Sequence, residues 1–224
     1  MHIEPGVVEG AKMLLSYGTA AAAVGVTLQT TLTALRENNL LSLVSRTVLA
    51  TLAVFLFFEV FWHHPVGVSE VHLILGTTLY LLFGLVPTAI GLAGGLFIQG
   101  FFFAPADLPQ YAMNTTTLLA PLFVMHLLAK KIIPANTAYV DLTYAQTFKL
   151  SAAYQGGIIT WVAFWAFYGQ GFGAENLANV TSFAIAYSGV VLVEPLIDLA
   201  ILYTAKSLRH SAVFEKRLYE ACAA

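Results

Sequence analysis

Residues 71–106 read VHLILGTTLYLLFGLVPTAIGLAGGLFIQGFFFAPA, without one Asp, Glu, Lys or Arg. A bilayer crossing needs roughly 20 predominantly apolar residues, so this stretch is too long for a single span. Its natural break is Gly84-Leu85-Val86-Pro87, because glycine and proline interrupt helical hydrogen bonding. The reading that follows is a short helix at about residues 72–83 and a full span at about 88–103. The short piece cannot cross unaided. It is expected to be re-entrant or packed inside the bundle, where irregular backbone is shielded from lipid.

The rest of the chain has the same character. Hydrophobic residues make up 58% of the 224 and charged residues 10%, and mean hydropathy is +0.78. A soluble domain carries about a quarter charged residues, so this composition cannot cover a water-facing surface. Further apolar stretches run at about 12–36, 40–62, 108–129, 150–168 and 177–203. The expected fold class is therefore all-α: one polytopic membrane helix bundle of six to seven transmembrane segments, with residues 1–224 forming a single domain. A net charge of −2, with no long basic run, excludes a nucleic-acid binder. The lone Cys222 excludes a disulfide framework and a cysteine metal site. The acidic start and long first apolar stretch do not fit a cleavable signal peptide, so the start is expected to be retained. No G-x-x-x-x-G-K-[ST] phosphate loop is present. The protein is read as a non-enzyme.

Basic residues orient the bundle, since cytoplasmic loops are enriched in Lys and Arg. With the N-terminus outside, nine of the ten basic residues fall on the inner side, Lys12 being the exception. The C-terminal tail, with Lys206, Arg209, Lys216 and Arg217, is then cytoplasmic. The same arrangement places residues 1–8 and the segment holding His63, His64 and His72 on one extracytoplasmic face.

That juxtaposition gives the second residue, His2, a meaning. A free terminal amine on Met1, the His2 amide and the His2 Nδ1 close a five- and a six-membered ring around a metal. The fourth corner of the plane is left for another imidazole. Planar nitrogen ligation suits Ni(II) or Cu(II), and the amide must lose its proton, which makes binding pH-dependent. Ile3 is apolar and can anchor the terminus in the bundle. Against this, a position-2 histidine can be an inert terminal residue, and His63 and His64 can be interface anchors at a helix end. His72 differs in opening an apolar helix after V-G-V-S-E.

Ionisable groups within a span are functional hypotheses by default. Glu194 and Asp198 share one face of the last helix and are expected to pair with a base such as Arg46 or Lys149, or to snorkel. The competing reading is a contact with a partner subunit. Glu59 or Glu70 is a candidate acceptor orienting an imidazole. His126 is read as a satisfied bundle histidine. Gly91 and Gly95, and Gly18 through Gly25, have the small-residue spacing of close helix packing. Trp161, Trp165 and Phe101 to Phe103 are taken as lipid-facing or interface anchors.

The start M-H-I-E-P-G resembles the M-H-I-x-x-G of substrate-capturing membrane subunits of cobalt and nickel energy-coupling-factor transporters, the CbiM/NikM family. V-S-E-V-H-L-I-L-G is similar to the nickel-type G-T-S-G-H-L-L-G and points to His72 as loop ligand. H-P-V-G-V-S resembles the cobalt-type S-H-P-T-G-T-G and points to His64. Both stay candidates, with His72 preferred. V-E-P-L-I-D-L looks like the family's A-E-G-L-L, with Pro195 in place of glycine. The resemblance implies metal ligands Met1, His2 and His72 or His64, with Co2+ or Ni2+ as cargo and no prosthetic group. It also implies a transmembrane coupling subunit, two cytoplasmic ATPases and a small accessory membrane subunit as partners, a plasma (inner) membrane location, and supply of cobalamin biosynthesis. Ala21 and Gly25 then become contacts to the coupling subunit. The competing class is a b-type haem membrane oxidoreductase, which needs histidine pairs at one depth. A membrane hydrolase lacks a recognisable Ser/His or Glu/His constellation.

Overall fold

The computed structural model describes residues 2–37 and 39–207 and is mostly helical. Its helices are α1 (Met13–Glu37), α2 (Leu40–Phe55), α3 (Gly76–Phe83), α4 (Leu85–Phe102), α5 (Tyr111–Ile132), α6 (Tyr144–Gln170) and α7 (Ala174–Ser207). Among the described residues, five segments are long and apolar enough to cross a membrane: Gly10–Arg36, Leu40–Val60, Leu85–Phe102, Pro105–Ile132 and Ala174–Ser207. The protein is a multi-pass membrane protein. With 27 residues, α6 matches these spans in length, while buried Thr147, Ser151 and Gln155 make it more polar. Eight residues of α3 extend only about 12 Å at 1.5 Å per residue. That is short of the roughly 30 Å hydrocarbon core, and α3 packs against α4, α6 and α7 instead.

The break between α3 and α4 falls at Gly84, whose φ of 86° lies in the left-handed region that only glycine adopts without strain. Along α4, Gly91 and Gly95 press against α2: a Cβ on either would stand 2.6 Å from Ala50 Cβ or Val54 Cγ1. The small-residue spacing here serves internal packing. The apolar core joins Phe58, Ile74, Leu92, Leu118, Tyr154, Ile158, Trp165 and Tyr187. Trp165 is fully buried, which corrects its reading as a lipid anchor: it packs in the core of the bundle rather than against the bilayer. Phe101, Phe102 and Phe103 are exposed as expected.

The all-α expectation meets one local exception. Strands β1 (His63–Val66) and β2 (Ser69–His72) form an antiparallel hairpin. The supposed helix start at His72 is thereby corrected, since His72 ends a strand and the helix begins at Gly76. The β-branched pair Val66 and Val68 flanks Gly67 at φ 61°, a hairpin signal hidden by the brevity of the strands. Before the hairpin, α2 continues through a π-helical turn, Leu56–Val60.

Candidate metal centre

Residues 2–4 add a third extended segment beside the hairpin. Ile3 bridges Ser69 in antiparallel sense. The Glu70 N–H donates to the His2 carbonyl at 2.9 Å, and the Glu4 N–H to the Val68 carbonyl at 3.1 Å. The Ser69 hydroxyl also donates to the His2 carbonyl, at 2.9 Å. From the other side, Asn114 on α5 accepts from the Ile3 N–H at 2.8 Å. Ile3, Val7 and Val8 are buried in the core, so apolar burial adds to this hydrogen bonding. A segment that would fray in isolation is held like an edge strand.

On β2, Glu70 and His72 are two residues apart and therefore project from the same face. That face meets His2. Glu70 Oε2 lies 2.7 Å from His2 Nδ1 and 2.8 Å from His72 Nε2, and Asp107 Oδ2 lies 3.4 Å from His2 Nδ1. The two imidazole rings stand edge to face with centroids 5.3 Å apart. His72 is further fixed by Phe58 at 5.2 Å, edge-on, and by His63 stacked at 5.2 Å. His2, Glu70 and His72 each present a ligand atom within 4.8 Å of the others. His2 Nε2 and His72 Nδ1 are buried without a hydrogen-bond partner.

Burial pushes both imidazoles below their usual value, against the opposing pull of Glu70. The rings are therefore neutral, the form that ligates metals. Burial would raise the Glu70 carboxyl, yet hydrogen bonds from both histidines outweigh it and hold the group below the usual carboxylate range. A carboxylate facing two neutral imidazoles is a donor set able to receive a divalent transition-metal ion.

A model of the family CbiM, the cobalt uptake substrate-specific transmembrane region, matches residues 2–212. The chain belongs to the CbiM family. Two solved structures share the CbiM-family chain's fold. One, a transition metal transporter, has a TM-score of 0.70 at 17% identity, covering 95% of this chain and 96% of its own. The other, a truncated transition metal transporter, has a TM-score of 0.65 at 16% identity, covering 93% and 97%. No curated protein matches the chain.

Within this CbiM-family chain the expected site residues separate. His2 and His72 come together, and Met1 lies outside the described residues, as do Cys222, Arg209, Lys216 and Arg217. His64 is exposed, stacked on Trp62 at 6.0 Å, and paired in register with Val71 rather than turned to His2. Asp107 and Asn114 entered no sequence reading, because each lies far along the chain and nothing in its flanks marks it. Glu59 accepts a long bond from Gln99 Nε2 at 3.5 Å instead of orienting an imidazole. His126 bonds Tyr80 at 2.9 Å, as a bundle histidine should. The pairing expected of Glu194 and Asp198 is corrected. Glu194 accepts from the Ile74 N–H and from Gln155, and Asp198 from the Thr78 hydroxyl. Both carboxyls are buried and, among the described residues, neither forms a salt bridge with a lysine or arginine, so the segment after His72 and Gln155 supply the donors.

Proposed function

We propose that this chain is the substrate-capture component of an energy-coupling-factor transporter in the plasma membrane, importing Co2+ or Ni2+. The ion is gripped by the free amine of Met1, the amide and imidazole of His2, and the imidazole of His72. Glu70, which bonds His2 Nδ1 and His72 Nε2 in the metal-free site, gives up Nδ1 to the ion, keeps the His72 ring oriented through Nε2 and offsets the charge of the ion. The observation that carries this reading is the burial of His2 and His72 on a single carboxylate oxygen, with neutral rings. His72 is favoured over His64 because it alone of the two is buried against His2. A coupling subunit and two cytoplasmic ATPases supply the energy for release inside, where cobalamin synthesis or nickel enzymes consume the ion.

Protein bearing only a C-terminal tag, and starting at its own Met1, should bind Co2+ or Ni2+ in equimolar amount by calorimetry and metal analysis. His2→Ala, His72→Ala, or a single residue added before Met1 should lower affinity about 100-fold or more, given that loss of a group outside the ligand set already costs about 10–100-fold. His64→Ala should leave affinity unchanged. Undiminished binding by the extended protein would remove the amine from the site, and loss with His64→Ala alone would reassign the loop ligand.

A further inference from the structure

The two histidines of the site leave their second nitrogens in different positions. An ionised carboxylate can only accept hydrogen bonds, so Glu70 takes one from His2 Nδ1 at 2.7 Å and one from His72 Nε2 at 2.8 Å. The remaining nitrogens, His72 Nδ1 and His2 Nε2, are both buried without a partner. His72 Nδ1 is thereby an open lone pair for an ion. His2 Nε2 is not, because the chelate of the proposed function uses His2 Nδ1. Once an ion takes Nδ1, the neutral ring carries its proton on Nε2, and a buried N–H needs an acceptor. Ligating imidazoles generally give that second N–H to a carboxylate, a carbonyl or a water.

A small cavity beside His2 holds a candidate. It measures about 10 Å³, room for one water, and its lining includes His2, Gln99, Asp107 and Asn114. Asn114 Oδ1 is committed to the Ile3 N–H at 2.8 Å. Gln99, on α4, is 4% exposed, and its Oε1 is, like His2 Nε2, a buried atom without a partner. Its Nε2 reaches Glu59 at 3.5 Å, which leaves the carbonyl as the free end of the amide. Two partnerless polar atoms therefore belong to residues that border one water-sized space. We propose that Gln99 is a positioning residue for the captured ion: through one water in this cavity, its carbonyl holds the Nε2 side of His2 so that Nδ1 is aimed at the metal. A water suits both forms of the ring. It donates to Gln99 Oε1 throughout, donates to Nε2 in the metal-free ring, and accepts from the Nε2–H when the ion is bound. Its second hydrogen then turns to the Asp107 carboxylate. The ring stays neutral, since one proton leaves Nδ1 as one settles on Nε2. A direct bond from Gln99 Oε1 would serve the metal-bound form alone, because a carbonyl cannot donate. The inference rests on the metal reading and adds to it the group behind the first imidazole.

Calorimetric titration of the full chain, starting at its own Met1, with Co2+ alone tests the assignment together with proton NMR of the Co2+-loaded protein. The paramagnetic ion moves the imidazole N–H signals away from all others. The wild type should show one exchangeable signal from His2 and one from His72. Gln99→Met keeps the side-chain length and removes the carbonyl, and should weaken binding about tenfold to a hundredfold. Its His2 N–H signal should be lost to fast exchange with water, while the His72 signal, held by Glu70, stays. Glu59→Gln with Gln99→Glu exchanges the two ends of that contact, keeps an acceptor oxygen at the cavity, and should restore both affinity and signal. Unchanged Co2+ affinity in Gln99→Met would overturn the proposal while the metal reading stands. Weakened binding with both signals kept would also overturn it, in favour of a packing effect. If Gln99→Met does not fold, a folded double variant that binds Co2+ without the His2 signal would overturn it as well. A wild type that binds no Co2+ would overturn the metal reading and this role with it.

Discussion

At Glu70 one carboxylate oxygen accepts from His2 and His72 at 2.7 and 2.8 Å, and both rings are almost wholly buried. Burial alone would disfavour a charge there, so the two N–H donors are what keep the carboxylate ionised. The same burial holds the imidazoles below their ordinary range, which in an unfolded chain is near 6.5. As pH falls below about 6.5, the unfolded chain takes up protons that the folded site refuses, and stability declines. Glu70 acts in the same direction at lower pH. Its folded value is depressed, so its contribution is complete above the unfolded value near 4.3 and is lost as pH falls further. The thermal midpoint of the metal-free protein should therefore drop between pH 7 and pH 5. His2→Ala with His72→Ala should flatten that part of the curve, and a wild-type curve already flat there would contradict neutral buried rings.

The elements around the site explain why a chain terminus stays in place. Gly169, near the end of α6, lies so close to the N-terminal segment that a Cβ would stand 1.9 Å from the Val7 carbonyl oxygen. Lys12 Nζ donates to the Gly169 carbonyl at 2.8 Å, closing the same junction. Gly169→Ala should force the two segments apart, lower stability by about 1–3 kcal/mol and weaken metal binding with it. Gly156→Ala, on the same helix but with open space around it, should be neutral or slightly stabilising. A second support comes from α7. Glu194 holds the Ile74 N–H two residues beyond His72, and is itself set by Gln155, which accepts from the Tyr187 hydroxyl at 2.5 Å. Glu194→Ala strands those buried donors and should cost about 1–3 kcal/mol in thermal or denaturant unfolding. Glu194→Gln keeps one acceptor and should cost less. Equal stability of the alanine variant would show that the α7 contact does not support the His72 turn.

For the whole molecule, the two ends of the bundle differ in chemistry. The His2–Glu70–His72 cluster closes one end, and a cavity whose lining includes Arg46, His126 and Lys130 opens at the other. The sequence contains no G-x-x-x-x-G-K-[ST] nucleotide-binding loop, so under the proposed function the energy for uptake comes from partners. Vesicles containing this chain alone should not accumulate Co2+ or Ni2+ when ATP is supplied inside, whereas vesicles containing the coupling subunit and ATPases as well should. Concentrative uptake by the isolated chain would require a different mechanism. Ala21 and Gly25 on α1 are exposed.

How much of this was legible beforehand follows from the range of each interaction. Apolar runs and the Gly84–Pro87 interruption act over neighbouring residues, so the helical class and the short third helix could be read from the sequence, while that helix's start moved from His72 to Gly76 and, among the described residues, five segments rather than six or seven meet the length and hydropathy of a crossing. The metal-capture hypothesis rested on a terminal histidine and on topology, which require only local chemistry and the count of basic residues per loop. Long-range pairing stayed hidden. A four-residue strand has too few alternations to declare itself, so the hairpin that carries Glu70 and His72 emerged only with its partner. Asp107 and Asn114 reach His2 and Ile3 across more than a hundred residues, and Glu194 meets Ile74 across 120. Composition and periodicity thus decided that the chain lives in a bilayer and roughly where it crosses. Which carboxylate sits between the histidines, and which helix holds the turn behind them, was decided by tertiary packing, because buried polar groups must find partners wherever the fold brings them.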